Sequence, residues 1–307
     1  MFCSNCGKQL EEGVRFCMGC GTPVGEVQDV AGGAMPVQQV GWREPSGAAG
    51  TPKKKNKNRV IIIAASGAVL LGAIIAVTVV LVTNKQKRER AVYYYNSGNA
   101  LLKKDDYDGA IAQFNEAISF NPKYVDAYVD RGTAYSNLGQ YDNALKDYTE
   151  AIRLSPKYAD AYAGRGDVYS RLGQYDNAVK DFTESIRLKP DYVSAYLGRA
   201  DAYGSLGQYD NAVKDYTEVI RLDPNWAVPY AKRGDVYIDI GQFDNTFKDL
   251  TEAIRLNPSW AYSYAKRGLA YAILGQRNQA IQDLETAISI EPNYEAAKEL
   301  LRTVRGY

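Results

Sequence analysis

The hydrophobic pattern divides the chain into zones. From Val60 to Val82 it reads VIIIAASGAVLLGAIIAVTVVLV, with no charged residue in 23 positions. At 1.5 Å per residue this is about 34 Å of helix, the depth of a bilayer. The run predicts a single transmembrane helix over 59–83, too long for the apolar part of a signal peptide and too far into the chain. Before it, residues 23–58 are rich in Gly, Ala, Pro, Gln and Val and show neither a helical nor an alternating period. They cannot bury a core and are predicted to be a disordered linker, basic at its end. After the run, a basic juxtamembrane segment at 84–90 leads into residues 91–294, where the same residue types return every 34 positions. The last stretch, 295–307, puts Leu300, Leu301 and Val304 on one helical face and Lys298, Glu299, Arg302 and Arg305 on the other. That is the pattern of a solvating, capping helix.

The 34-residue period is carried by Pro122, Pro156, Pro190, Pro224, Pro258 and Pro292. Tyr94, Tyr128, Tyr162, Tyr196, Tyr230 and Tyr264 share it, as do Gly98, Gly132, Gly166, Ala200, Gly234 and Gly268. So do Ala110, Ala144, Ala178 and Ala212, followed by Thr246 and Ala280. This order of aromatic, small and proline positions, with its recurring RG, AY, LGQYDNA and DYTEAIRLNP, resembles the tetratricopeptide repeat in a tyrosine-rich form. The resemblance implies an all-α solenoid of six helix-turn-helix repeats plus the C-terminal capping helix. The small residues let the two helices of each hairpin approach, and Tyr128, Tyr135 and Tyr148 fill the space around them. Proline stops the second helix. Asp108, Asp142, Asp176, Asp210 and Asp244 fall near its start and Arg153, Arg187, Arg221 and Arg255 near its end, as the helix dipole favours.

One pair of positions changes together. Arg131, Arg165, Arg199, Arg233 and Arg267 are followed sixteen residues later by Asp147, Asp181, Asp215, Asp249 and Asp283, whereas the first repeat has Ser97 and Gln113. The joint departure predicts an Arg–Asp bridge between the two helices of repeats two to six, of the exposed kind worth about 0–1 kcal/mol.

All four cysteines lie in residues 1–22, as Cys3-x2-Cys6 and Cys17-x2-Cys20, and the chain has no histidine. Catalysis by Ser-His-Asp or Cys-His and every His-ligated metal site are excluded. Two Cys-x-x-Cys turns, each followed by glycine (Gly7, Gly21), converge four thiolates, a set suited to tetrahedral Zn(2+). A disulfide pair, a rubredoxin-like iron site and a redox Cys-x-x-Cys are the competing readings; the last normally opens a helix in a larger βαβ unit, which nothing here supplies. The segment resembles short N-terminal zinc ribbons, and the resemblance implies that Cys3, Cys6, Cys17 and Cys20 bind zinc and that the metal folds a peptide too small to fold alone. Lys8 and Arg15 are offset by Glu11 and Glu12, so no basic patch points to nucleic acid.

The chain holds 37 basic and 36 acidic residues, but residues 91–307 carry 25 against 30, a net of −5. Around the apolar run, Lys53, Lys54, Lys55, Lys57 and Arg59 face Lys85, Lys87, Arg88 and Arg90, which favours the N-terminus inside by one charge. Metal-type thiolates need a reducing compartment, while the region after the run has no cysteine. The N-terminus is therefore placed in the cytoplasm and the repeats outside it, in a single-pass protein of the cell membrane. Ala64, Ala68, Gly72 and Ala76 recur every four positions, a spacing that admits a second helix in a homodimer, although small residues are common in such helices.

Tetratricopeptide arrays present the first helices of their repeats as a concave wall for protein or peptide partners, which the resemblance implies here. At the family's groove positions this chain places Asp126, Asp160, Asp167, Asp201 and Asp235, with Asn99, Thr133, Tyr262 and Leu269 at the ends and Lys232 and Lys266 toward one of them. Family members that clamp chaperone C-termini use lysines and asparagines; Tyr95 and Asp160 stand where two of those lysines would be, although Asn99 fits. A basic partner is the sharper reading and a solvated face the blander one. Repeated Asp, Tyr and Ser offer no catalytic set, which would break the repeat pattern in one place. A membrane-anchored scaffold uses every zone; the alternative is a signalling protein whose ribbon contacts a cytoplasmic partner or nucleic acid while the repeats sense an outside ligand.

Overall fold

The structure, a computed structural model, describes residues 57–306, with side chains from Thr78 onward. The cysteine module at 1–22, nearly all of the linker at 23–58 and the stripe Ala64, Ala68, Gly72 and Ala76 lie outside the residues so described. The described residues from Ala64 onward form one compact unit, which holds all of the repeats.

Among the described residues the regular structure is all helical, with short turns between helices. α1 spans Lys57–Leu102, 46 residues. Its run from Ala73 to Ser97 contains no Gly or Pro, and Lys85 and Glu89 pair at i, i+4 across 3.9 Å. The compositional boundaries at 83 and 90 are therefore not structural ones: the basic segment is helical, and the first helix of the first repeat is the end of α1. Among the described residues no helix is long and apolar enough to cross a membrane. Of the apolar run, side chains are described only from Thr78 to Val82, where Val79, Val80, Leu81 and Val82 stand exposed.

α2 (Tyr107–Phe120) completes the first hairpin. The next five are α3 (Val125–Asn137) with α4 (Tyr141–Leu154), α5 (Ala159–Arg171) with α6 (Tyr175–Leu188), α7 (Val193–Ser205) with α8 (Tyr209–Leu222), α9 (Ala227–Asp239) with α10 (Phe243–Leu256), and α11 (Ala261–Ile273) with α12 (Arg277–Ile290). α13 (Glu295–Arg305) follows as the cap, stopped by left-handed Gly306. Each hairpin after the first turns on a glycine with φ of +70 to +72°, Gly139 to Gly275, a conformation that costs other residues free energy; Asp105 takes that place in the first hairpin with φ +58°. The anticipated acids occupy the first turn of α2, α4, α6, α8 and α10.

Close approach of the helices depends on missing Cβ atoms. A Cβ on Gly132 would lie 3.1 Å from the Tyr148 ring, and one on Gly164, in the next repeat, 2.4 Å from it. Tyr148 is thus wedged between α3 and α5, and Phe182 sits in the same way between Gly166 and Gly198.

All five Arg–Asp bridges form. Each arginine Nε donates to the aspartate Oδ2 at 2.7 Å, and Nη2 reaches Oδ1 at 2.6–2.9 Å. The expectation of exposed pairs needs correction. The arginine side chains are only 14–19% exposed and the aspartates 4–10%, because the pair sits where two repeats meet. The remaining donor, Nη1, crosses that junction to the preceding repeat's second helix. It reaches Asn115, Thr149, Thr183, Thr217 and Thr251 in turn, at 2.5–3.3 Å. Ser97 and Gln113 in the first repeat now have a reason: no repeat precedes it, so an arginine there has nothing to reach. At the far end Glu285 holds the same place and receives Arg305 of α13, so Arg305 ties down the cap rather than only solvating it. Leu301 is buried and Leu300 and Val304 pack beside it, facing inward as anticipated.

Candidate interaction groove

The second helices are close copies: YDNALKDYTEAIRL, YDNAVKDFTESIRL, YDNAVKDYTEVIRL and FDNTFKDLTEAIRL in α4, α6, α8 and α10. The first helices keep Tyr128, Arg131 and Tyr135 and their equivalents but vary at 126, 130, 133 and 137 and theirs. Those offsets of four, seven and eleven residues lie on one helical face. The face reads Asp126, Asp130, Thr133, Asn137 on α3; Asp160, Gly164, Asp167, Arg171 on α5; and Ser194, Gly198, Asp201, Ser205 on α7. It continues with Val228, Lys232, Asp235, Asp239 on α9 and Tyr262, Lys266, Leu269, Ile273 on α11. Its members meet across repeats, so the faces join into one groove.

At the α3 and α5 end three carboxylates stand without a basic partner. Tyr158, from the turn before α5, donates its hydroxyl to Asp126, and Tyr192, before α7, has its phenol raised by burial and by neighbouring Asp160. Asp130 is held by Tyr95 and Asn99. A hydroxyl satisfies a lone pair but leaves the charge in place. Burial raises the Asp130 carboxyl above its ordinary value, the Tyr95 and Asn99 hydrogen bonds oppose this, and the Asp126 and Asp160 charges raise it further. Burial, followed by the Asp126 hydrogen bond and charge, raises the Tyr158 phenol. Where Ser194 and Val228 replace the acid, the following turn carries Trp226 and Trp260, which have no hydroxyl to donate, although Tyr124 and Tyr294 follow Val92 and Tyr262, which are not acids either.

In the middle of the groove the acids are already matched. Asp201 accepts from Lys232 Nζ at 2.9 Å and from the Tyr216 hydroxyl at 2.5 Å. Asp235 pairs with Lys266 Nζ at 2.6 Å and accepts from the Tyr262 hydroxyl at 2.8 Å. Asp167 pairs with Arg171 of its own helix at 2.7 Å, both side chains about half-exposed. A cavity of about 400 Å³ lies here, lined by Asp201, Tyr216, Lys232, Asp235 and Tyr262, with exposed Asp239 at its rim. A second cavity, of about 410 Å³, opens between α11 and α13 among Lys266, Leu269, Tyr294, Ala297 and Leu300.

The five aspartates singled out from the sequence, Asp126, Asp160, Asp167, Asp201 and Asp235, all fall on this face. Only Asp126 and Asp160 remain unneutralised. Asp130 and Asp239 were missed because they occupy the other two positions of the varying face; divergence among the repeats was the signal that finds them. Among the described residues no group of three or more acids, cysteines or histidines is arranged to hold a metal ion. Cys3, Cys6, Cys17 and Cys20 lie outside the described residues, and four thiolates in two Cys-x-x-Cys turns are a donor set that fits zinc.

A tetratricopeptide-repeat (TPR) family model matches residues 98–139, 132–173 and 166–207, a second matches 193–225, and a third 227–259 and 261–294. A zinc-ribbon domain model matches 2–24. No curated protein matches the chain in sequence. Among solved structures the chain is similar to PilF of Pseudomonas aeruginosa, with TM-score 0.63, 14% identity and coverage of 71% of this chain and 99% of that one. It is also similar to YrrB, described as a TPR protein with an unusual peptide-binding site, with TM-score 0.53, 23% identity and coverage of 61% and 96%. A tetratricopeptide repeat protein from Parabacteroides merdae gives TM-score 0.53, 25% identity and coverage of 70% and 84%.

Proposed function

Because the chain belongs to the tetratricopeptide-repeat family, we propose that it is a membrane-anchored scaffold whose groove holds a basic segment of a partner protein. Repeats of this family mediate protein–protein interactions, and the fold is typically non-enzymatic. One observation carries the finer reading: the second helices α4, α6, α8 and α10 are close copies while the groove face of the first helices varies, and the unmatched carboxylates Asp126, Asp130 and Asp160 lie on that face. Burial is the main cause that raises Asp130, and a Lys or Arg side chain placed among the three carboxylates relieves the repulsion from Asp126 and Asp160 that adds to it. PilF and YrrB support the fold, and the words attached to YrrB support a peptide as the kind of ligand.

The apolar run at 60–82 supports an anchor, and the zinc-ribbon match supports zinc held by Cys3, Cys6, Cys17 and Cys20 in the cytoplasm. The repeats then lie on the opposite side of the membrane. Since α1 runs unbroken into the first repeat, the groove is held close to the membrane surface.

The test is binding of a fluorescent lysine-rich peptide to the full chain in detergent, followed by anisotropy. The triple variant Asp126→Asn, Asp130→Asn, Asp160→Asn is expected to weaken binding about tenfold or more, three charge contacts at about 0.5–1 kcal/mol each. The triple variant Asp167→Asn, Asp201→Asn, Asp235→Asn is expected to change it less, because those charges already have cations. The reverse ranking contradicts the assignment.

A further inference from the structure

The groove is graded from one end to the other, and the gradient specifies more than a basic partner. α3 contributes two carboxylates and no cation, α5, α7 and α9 carry a mixture dominated by aspartate, and α11 carries Lys266 with Tyr262, Leu269 and Ile273 and no acid. Leu269 and Leu300 line the cavity of about 410 Å³ between α11 and α13. Ile273 is 54% exposed on the same face. A recess with Leu269, Tyr294, Ala297 and Leu300 among its walls, beside Lys266 and Glu299, thus lies at one end of the face, and carboxylates without a basic partner lie at the other. The positions are equivalent in the repeat pattern: Leu269 replaces Asp167, Asp201 and Asp235, and Ile273 replaces Asn137, Arg171 and Asp239. Repeat packing therefore does not require the change.

Resting on the groove reading above, we infer that the occupant is a bipartite segment of another protein, with Lys or Arg residues at one end and a large aliphatic or aromatic side chain at the other. The basic end meets Asp126, Asp130 and Asp160; the apolar side chain enters the recess between α11 and α13. Charge complementarity fixes the order along the groove, since the cluster of carboxylates without a cation lies at the α3 and α5 end, Lys266 at the other end is already paired with Asp235, and a buried apolar group gains nothing among carboxylates. The usual spacing of packed helices also sets the length. First helices touch from α3 to α5, α5 to α7, α9 to α11 and α11 to α13. At about 9 Å per step, α3 to α11 is about 35 Å, which an extended chain crosses in about ten residues.

The probes are synthetic peptides with a lysine block at one end and leucines at the other, joined by a Gly/Ser spacer of about ten residues. Both block orders are made, since the chain direction of the occupant is open, together with matching peptides in which either block is replaced by Gly/Ser. Binding to the full chain in detergent is measured by anisotropy. One order of the bipartite peptide is expected to bind at least about tenfold tighter than the lysine-only peptide, the gain from removing a leucine side chain from water. That gain is expected to vanish when the spacer is halved, and in Leu269→Gln or, in case that variant folds poorly, Ile273→Gln at an exposed site. The lysine-only affinity should be unchanged in both variants. Equal binding of bipartite and lysine-only peptides overturns the bipartite inference while leaving the acidic groove intact, as does a gain that survives in both variants. Failure of the lysine-only peptide to bind at all overturns the groove reading beneath it.

Discussion

Cutting the arginine ladder at its centre tests how the repeats are joined. Arg199 donates to Asp215 through Nε at 2.7 Å and Nη2 at 2.8 Å, and through Nη1 at 3.0 Å to Thr183 of the preceding repeat. Its guanidinium also lies 5.6 Å from the Tyr196 ring centre and 5.8 Å from that of Tyr203. The side chains are 16% and 8% exposed, so removing one partner leaves the other largely desolvated. A fully buried pair broken in this way costs about 3–5 kcal/mol, and the residual exposure brings Asp215→Ala to about 2–4 kcal/mol. Thr183→Val removes only the cross-junction acceptor and should cost about 0.5–1 kcal/mol. The assay is urea unfolding followed by far-ultraviolet circular dichroism on wild type, Arg199→Ala, Asp215→Ala and the double variant, with an expected coupling of about 2 kcal/mol. Because solenoid stability is a sum of repeat and junction terms, the denaturant slope should also fall as the array begins to unfold in two parts. A coupling below about 0.5 kcal/mol refutes the reasoning and returns these pairs to the class of exposed bridges.

Two smaller perturbations follow from single sites. Ser263 is fully buried with its hydroxyl unbonded, and Ala127, Ala161 and Ala195 hold its place in other repeats. Ser263→Ala should therefore raise stability by about 1 kcal/mol in the same urea assay, and a loss contradicts the account. Asp130 has a folded-state pKa above its ordinary 3.8, so the folded chain takes up this proton more readily than the unfolded one. The penalty is absent below pH 3.8, grows as pH rises from there to the raised value, and is constant above it. Asp130→Asn should accordingly melt higher than wild type at pH 7, with the difference shrinking as pH falls toward 4. A variant that melts lower at pH 7 removes the basis for treating Asp130 as held there at a cost in stability.

The repeats were legible because a period of 34 states its own alignment, and the Arg–Asp bridge because Ser97 and Gln113 depart together. Its burial was not legible, since burial at a repeat junction depends on how hairpins stack. The same holds for Lys232 and Lys266. Each reaches back 31 residues to Asp201 or Asp235, a separation that stacking creates and no pattern within one helix announces. Asp130 was overlooked when attention went to the family's usual positions, although the variation at 126, 130, 133 and 137 was open to reading. The unbroken course of α1 through the basic segment 84–90 follows from a run without Gly or Pro.

The central claim is that the first-helix face, and its acidic end above all, is where a partner sits. Its most direct test is site-specific photocrosslinking of the full chain in its native membrane, with a photoreactive amino acid placed at Thr133 or Ser194 on the groove face or at exposed Lys180 or Lys214 on α6 and α8. Discrete adducts from the groove positions, lost when Asp126, Asp130 and Asp160 are all changed to Asn and absent from the α6 and α8 positions, are the expected result. Equal adducts from α6 and α8, or groove adducts indifferent to the three substitutions, contradict it.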